Sequence, residues 1–333
     1  AQANDPVFAA ARAARQAGQE KLPQGRSLLM PAINFNASST FNNQTSSSQV
    51  SSPTNGSFRY NANGYGVNLT QPLFRAQNWL TYTEAQLQVA QAEAQFKVAE
   101  QDLVLRVAQN YFDVLIAQDS VQLVDAQKTA ITEQMAQAKR TFEVGTTTIT
   151  DTLEAQSRFD LIVAQEVAAK NNLEVKRSGL QQLTNEIPKE LKPLGAAFKL
   201  EAPKPAEMEQ WVADAQNNNP QLTVAQVNAS LAEKEVSRNQ AGHYPTVDLV
   251  ANFSKNSTTS GGLGANDSNN KSIGVQLNMP LFQGGAVGSR SREAEANQER
   301  SLQDLENARR TVMTQTRQAY LGVVSGIAQV QAL

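Results

Sequence analysis

The 333-residue chain carries 29 basic and 31 acidic side chains, and its net charge of −2 leaves no basic stripe that could follow a nucleic-acid backbone. It contains no cysteine, which excludes disulfides, thiol catalysis and cysteine-based zinc sites. No run of 18 apolar residues is present, so the sequence predicts no transmembrane helix.

After a short N-terminal helix, two strands are predicted at about residues 31–43 and 58–73. In the first strand Ile33, Phe35 and Phe41 alternate with polar residues, a period of two that gives a strand one apolar and one polar face. The returning strand repeats the pattern. Strands of this kind fit either a soluble sandwich or a transmembrane barrel, and the flanking Ala-, Gln- and Glu-rich segments offer little to cover the apolar face.

Aromatic residues cluster around the end of the second strand. Tyr60 and Tyr65 lie within it, and Arg75 and Trp79 follow it. Anchoring at a membrane interface and ordinary packing at the strand-to-helix junction explain them equally well.

A long helical hairpin is predicted at about residues 74–186. Between Phe74 and Glu143 there is no proline or glycine, and at 1.5 Å per residue this run would extend roughly 100 Å. Its many alanines would let neighbouring helices approach closely.

The segment "RTFEVGTTTITD" at residues 140–151 interrupts this helical run. Gly145 is suited to a C-terminal stop in the left-handed region. Thr148 or Thr150 can cap the next helix, and Asp151 favours its first turn. The interruption is therefore predicted to be the tip of the hairpin.

The chain repeats itself at a spacing near 210 residues: "GVNLTQPLF" from Gly66 matches "GVQLNMPLF" from Gly274. We therefore divide it into a first repeat, residues 1–205, which ends in a Pro-rich linker at 186–205, and a second repeat, residues 206–333. The second repeat is predicted to have strands at about 245–256 and 271–282.

The second repeat is predicted to be truncated before its hairpin tip. Phe74 precedes Gly145 by 71 residues, so the equivalent tip should lie near position 353, beyond Leu333. The sequence is accordingly expected to be shortened at both ends or to be a natural short form.

These features resemble the TolC family of bacterial outer-membrane channel proteins. The resemblance rests on "RTFEVGTTTITDTLEAQSRFD" at the tip, the strand ends "LTQPLF" and "LNMPLFQGG", "AGHYPTVDL" at the second strand start, and the tandem repeat. It implies a mixed fold of mainly long α-helices. In that fold four strands per chain join a trimeric, twelve-stranded transmembrane β-barrel that continues into an α-helical periplasmic barrel.

The resemblance also implies a function in the outer membrane of Gram-negative bacteria. Such a protein is the exit duct of a tripartite efflux pump or a type I secretion system. Its partners are a periplasmic adaptor (membrane fusion protein), an inner-membrane transporter of RND, ABC or MFS type, and outer-membrane lipid. Transported molecules would pass passively through a water-filled tunnel with a polar lining, to which we assign Asn34, Asn36, Asn68, Asn252 and Asn278.

The family's functional positions carry over to the hairpin tip. The resemblance implies that the adaptor docks on Val144, Gly145, Thr146, Thr147 and Thr148. It also implies that Asp151 takes part in the contacts that keep the periplasmic entrance closed.

A periplasmic adaptor or coiled-coil scaffold of a transport complex stays open as a second hypothesis, since adaptors also carry helical hairpins. The duplicated pair of amphipathic strands argues against it. An enzyme is not expected, because no set of acid, base and nucleophile emerges. Nor is a cofactor or metal expected, since His243 is the single histidine.

Overall fold

The computed structural model describes residues 1–46, 56–186, 191–195, 200–260 and 265–332. Most of the polar loop expected between the first two strands, and part of the predicted linker, lie outside these ranges. The elements in chain order are α1 (Pro6–Gln19), α2 (Lys21–Ser27), β1 (Ala32–Ser46), β2 (Gly56–Phe74), α3 (Ala76–Glu143), α4 (Ile149–Thr184), α5 (Met208–Asn218), α6 (Pro220–Gln240), a 3-10 turn (Ala241–His243), β3 (Thr246–Ser260), β4 (Asn266–Asn278) and α7 (Ala286–Ala332). Among the helices so described, none is both long and apolar enough to cross a membrane.

Contacts divide the chain into two compact units. Unit 1 comprises residues 1–15, 94–213 and 316–333, and unit 2 comprises residues 16–93 and 214–315. Each unit therefore draws on both predicted repeats. The repeat boundary at residue 205 stays a prediction.

Unit 2 contains an antiparallel sheet in the order β1-β2-β3-β4. The register is continuous except for one irregularity between Pro72 and Phe74. Ile33 lies opposite Leu69, Leu69 opposite Ala251, and Ala251 opposite Ile273, so one row of apolar residues crosses all four strands. Since side chains alternate along a strand, odd-numbered residues share this face and even-numbered ones share the other.

The last strand is shifted relative to the prediction. β4 begins at Asn266 and ends at Asn278, whereas the alternation favoured residues 271–282. Asn278 is paired with Thr246, the first residue of β3, so beyond it β4 has no partner in this sheet. Pro280, which lacks an N–H, further disfavours continuation.

The start of α1 packs in unit 1 on the middle of α3. Asp5 caps α1 by accepting hydrogen bonds from the N–H groups of Val7 and Phe8, and Pro6 occupies the first helical position. The ring of Phe8 lies 5.3 Å from that of Phe96 and joins Leu103 in a buried cluster. Asp5 is itself buried and forms an ion pair with Arg106 at 2.7 Å.

The α3–α4 hairpin of unit 1 is held by an apolar seam and by ion pairs across it. Val114 and Ala117 of α3 form a buried cluster with Leu173 and Leu180 of α4. Two ion pairs follow the seam, Lys128 with Glu166 at 2.5 Å and Lys176 with Asp113 at 2.8 Å.

Small residues let helices of unit 2 approach closely. A Cβ placed on Gly18 would lie 2.3 Å from Ala92 Cβ, and one on Gly25 would lie 2.7 Å from Ala85 Cβ. The close approach expected from the alanine content of α3 is thus present where α3 meets a glycine.

Positions that the repeat makes equivalent have similar local structure. Asn219 caps α6 as Asp5 caps α1, through hydrogen bonds from the N–H groups of Gln221 and Leu222. Within unit 1, Tyr111 Oη donates to the carbonyl of Lys192 at 2.6 Å, and Tyr320 Oη donates to the carbonyl of Ala206. Each tyrosine therefore bonds to one described residue between α4 and α5.

Candidate functional site

The polar face of the sheet carries a ladder of asparagine side chains. Asn68 Nδ2 donates to Asn36 Oδ1 at 2.9 Å, and Asn252 Nδ2 donates to Asn68 Oδ1 at 2.8 Å. Asn34 and Asn278 share this face, and both are exposed. Each amide keeps unused donors or acceptors for water, so the face can support a hydrated, uncharged surface.

The opposite face of the sheet is apolar and uncovered. The side chains of Ile33, Phe35 and Ile273 are 65%, 69% and 77% exposed. Exposed apolar area of this extent marks a surface that meets lipid or another protein.

The two tyrosines of β2 lie on different faces. Tyr65 is on the apolar face, as an interface anchor would be, while Tyr60 is on the polar face with its hydroxyl 3.2 Å from Gln44 Oε1. The alternation of the strand was the signal that could have separated them.

Arg75 joins the end of β2 to the start of β3. Its Nε and Nη2 donate to the two carboxylate oxygens of Asp248 at 2.8 and 2.6 Å. A bidentate pair of this kind is strong and geometrically specific. Arg75 therefore packs at the strand-to-helix junction, whereas Trp79 is 58% exposed. Sequence reasoning missed this role of Asp248, although among the described strand residues it is the only acidic one on the polar face.

The hairpin tip closes α3 with a Schellman motif. Gly145 has φ +77°, its N–H donates to the carbonyl of Phe142 at 2.9 Å, and the N–H of Thr146 donates to that of Thr141 at 2.9 Å. The predicted left-handed stop at Gly145 is confirmed.

The next helix begins with a capping box. Thr148 is the N-cap, which decides between the two predicted threonines, and its side chain accepts from the N–H of Asp151. Asp151 in turn accepts from the N–H and the hydroxyl of Thr148, both at 2.9 Å. These two bonds, the backbone one first, hold the pKa of Asp151 below its usual value.

The structure brings the predicted docking residues together in one exposed turn. Val144 is 73% exposed, and a Cβ on Gly145 would meet no atom within 4 Å. Thr146 and Thr148 are exposed, while Thr147 is half-buried with its hydroxyl 3.3 Å from that of Thr141.

Asp151 also borders a cleft of about 220 Å³ between the helices of the hairpin, lined by Ile131, Gln134, Glu154, Ala155 and Arg158. Arg158 in that cleft is paired with Glu154 at 2.6 Å. No group of three His, Asp or Glu side chains able to hold a metal ion occurs within the described ranges.

The sequence matches the outer membrane efflux protein family over residues 1–186 and 211–333. It is 32% identical over 337 residues to the alkaline protease secretion protein AprF of Pseudomonas aeruginosa, covering 99% of this chain and 69% of AprF. It is 30% identical over 343 residues to the outer membrane protein TolC of Escherichia coli, covering 100% of this chain and 68% of TolC. The similarity to TolC that the motifs indicated is confirmed.

The fold is also that of solved outer-membrane channels. The CmeC outer membrane channel of Campylobacter jejuni superposes with a TM-score of 0.79 at 17% identity, over 95% of this chain and 67% of CmeC. This likeness supports the mixed fold of long helices and four strands that the sequence predicted. The chain belongs to the outer membrane efflux protein family, and it is an outer-membrane exit duct that extends into the periplasm, neither an enzyme nor an adaptor.

Proposed function

We propose that three copies of this chain form the duct, with their sheets joined into one twelve-stranded barrel. The observation that carries the proposal is the four-stranded sheet itself: its order leaves β1 and β4 at open edges, and its apolar face is uncovered. Four strands cannot close a barrel, since the smallest membrane barrels use about eight. Pairing β4 of one copy with β1 of the next closes a ring by a heterologous contact.

The ring places lipid on the apolar face and water on the polar face. The asparagine ladder then lines the lumen with neutral amides, which suits transported molecules of either charge. Conduction is passive.

Members of the family act with periplasmic adaptors and inner-membrane transporters. We assign adaptor docking to the turn at Val144, Gly145, Thr146, Thr147 and Thr148. Support comes from its exposure and from hydrogen bonds that are satisfied within the turn, which leave its outer surface free for a partner. An RND, ABC or MFS transporter would supply the energy.

We assign Asp151 a part in closing the periplasmic entrance, besides capping α4. The two roles can be separated, because Thr148→Ala removes the cap while keeping the carboxylate. Asp151→Asn should raise the conductance of the duct in planar bilayers, and Thr148→Ala should leave it unchanged. Equal effects of the two substitutions would reduce Asp151 to a capping residue.

Particle mass tests the assembly first. Light scattering in detergent should give three times the 36.1 kDa of the chain, and electron microscopy should show threefold particles. A monomer or dimer under these conditions would overturn the shared barrel.

Docking is tested by Gly145→Asn, which adds a side chain yet tolerates the left-handed conformation. Binding of a purified periplasmic adaptor in surface plasmon resonance should fall. Gly284→Asn is the matched control, because Gly284 also has positive φ and open space around it. Unchanged adaptor binding by Gly145→Asn would remove the turn from the docking surface.

A further inference from the structure

The charged residues of the sheet are distributed unequally between its faces. The four strands contain three basic residues, Arg59, Lys255 and Lys271, and two acidic ones, Asp248 and Asp267. All three basic residues are odd-numbered and lie on the apolar face by the register of the sheet. A face that meets lipid would be expected to exclude them, because a charge inside the hydrocarbon is costly.

Their height on the strands resolves this conflict. On β3 the apolar residues from Val247 to Phe253 precede Lys255, and Lys271 lies opposite Phe253. Eight residues separate Val247 from Lys255, about 26 Å along the strand, or about 20 Å of height at a tilt of about 40°. Lys255 therefore lies one row beyond the last apolar residue of β3. Lys271 lies in the row of that residue, Phe253, at a height of about 15 Å.

This edge of the apolar band is the outer one. The helices that extend into the periplasm follow β2 and precede β3, so the opposite strand ends face the outside of the cell. Tyr65 occupies the row of Lys255, where aromatic residues mark the boundary of a membrane. Phe41, further out on the same face, is 70% exposed.

The two lysines have surroundings suited to an anionic head group. Lys255 borders a shallow hollow of about 440 Å³ that Tyr65, Asn63, Ser39 and Ser257 also line. The hydroxyl of Ser39 donates to Asn63 Oδ1 at 2.7 Å, which leaves the amide N–H groups of Asn63 and the hydroxyls of Tyr65 and Ser257 as donors. Lys271 Nζ lies 5.8 Å from the ring of Phe253, at an aromatic edge of the apolar band.

Both lysines are exposed, and within the described residues neither forms an ion pair, unlike Lys128 and Lys176 on the helices. Asp267 lies on the same face opposite Ser257, one row beyond Lys255 and two rows beyond Lys271, so one carboxylate borders the hollow. The two lysines leave the net charge of this rim positive.

We propose that Lys255 and Lys271 bind the phosphate of a lipid head group in the outer leaflet of the membrane. Lys255, with the donors of the hollow, takes the phosphate oxygens, and Lys271 neutralises the same or the adjacent phosphate. The exposed apolar rows nearer the helices accommodate the acyl chains. A soluble phosphate compound would use the lysines but not these rows.

The test is lipid retention by the full chain in detergent, measured by native mass spectrometry with diphosphoryl lipid A as the probe. Lys255→Gln and Lys271→Gln should each weaken lipid retention about fivefold, because one basic residue near an anionic surface contributes an effect of this size. The double variant should weaken retention roughly 25-fold if the two lysines act independently. Lys255→Arg should retain binding. The matched control is Lys97→Gln, which removes an exposed helical lysine that has no ion pair among the described residues.

Two results would overturn the proposal. Equal retention by wild type and the double glutamine variant, with circular dichroism and particle mass unchanged, would show that the lysines do not bind lipid. Displacement of diphosphoryl lipid A by millimolar inorganic phosphate would indicate a free-phosphate site instead. If the lysines recognise phosphate charge, diphosphoryl lipid A should be retained most strongly, monophosphoryl lipid A less strongly and phosphatidylcholine least. The inference rests on the proposed barrel, and the particle mass tests that barrel separately. None of these results depends on the adaptor or on the hairpin tip.

Discussion

Asp5 combines two stabilising roles that one pair of substitutions can separate. Its carboxylate caps α1 and is paired with Arg106, and its side chain is only 2% exposed. The equivalent residue of the second repeat, Asn219, caps α6 without a charge. Asp5→Asn should therefore keep the cap and remove the ion pair, whereas Asp5→Ala removes both.

The magnitudes follow from the contacts. The cap contributes about 1 kcal/mol, and a hydrogen bond to a charged group about 1.5–3 kcal/mol. Arg106 keeps Asp102 at 2.7 Å, so its charge is not left unpaired. We expect the free energy of unfolding to fall by about 2 kcal/mol in Asp5→Asn and by about 3–4 kcal/mol in Asp5→Ala.

Urea titration followed by helical circular dichroism, in detergent, measures both values. The hydrogen bond from Arg106 holds the pKa of Asp5 below its usual value. The stabilisation is therefore present above the unfolded-state pKa and lost as pH falls through the lower folded-state pKa. The difference between wild type and Asp5→Asn should narrow below about pH 4. A loss in Asp5→Asn as large as in Asp5→Ala, or one independent of pH, would refute the assignment of the two roles.

Three further predictions concern unit 2. Gly25→Ala should lower the free energy of unfolding by about 1–3 kcal/mol, because its Cβ would lie 2.7 Å from Ala85 Cβ; a urea titration measures it. Asn68→Asp should raise the cation-to-anion permeability ratio in planar bilayers by roughly fivefold. Two unit charges 4 Å apart in water interact by about 1 kcal/mol, and that energy corresponds to a ratio of this size. Burial raises the pKa of Glu84, although Arg238 lies 3.3 Å away. The fold therefore favours the neutral form of Glu84 more than the unfolded chain does, and stability is lost as pH rises from the unfolded-state pKa through the higher folded-state pKa. Glu84→Gln should stabilise the protein at pH 7 but not at pH 4 in the same titration.

Matched controls exist for two of these changes. A Cβ on Gly322 in α7 would meet nothing within 4 Å, so Gly322→Ala should not destabilise the protein. Asn61 is on β2 but on the apolar face, so Asn61→Asp should leave the permeability ratio unchanged. A destabilised Gly322→Ala, an altered ratio in Asn61→Asp, or a Glu84→Gln effect of equal size at both pH values would contradict the reasoning.

Local signals predicted the first three strands and the hairpin tip well, because each depends on residues close in sequence. Alternation placed Ile33 and Val67 on one face, and the run without glycine or proline gave α3 its end at Glu143. Gly145 and Thr148 follow general rules of helix ends that need no tertiary context.

Contacts between distant segments could not be predicted in this way. Arg75 with Asp248 and Asp5 with Arg106 join residues 173 and 101 positions apart, and many acidic residues would satisfy the same pattern. The end of β4 depends on where its partner β3 begins, which the alternation within β4 does not indicate. Residue type alone did not predict the face on which Tyr60 lies, since an aromatic residue near a membrane interface can lie on either face of a strand.

The turn at the hairpin tip has a consequence for engineering. Apart from bonds within the helices, the hydrogen bonds described for residues 144–148 end on residues of the segment 140–151. Arg140 and Thr141 also donate to carbonyls of the preceding turn of α3, as any helical pair could provide. A segment whose conformation depends on its own hydrogen bonds can be transferred between proteins. Residues 140–151 should keep their conformation when grafted onto another antiparallel helical pair of the same spacing. If the turn does bind the adaptor, exchanging these twelve residues between two ducts should exchange their choice of partner while the rest of each protein is left as it was.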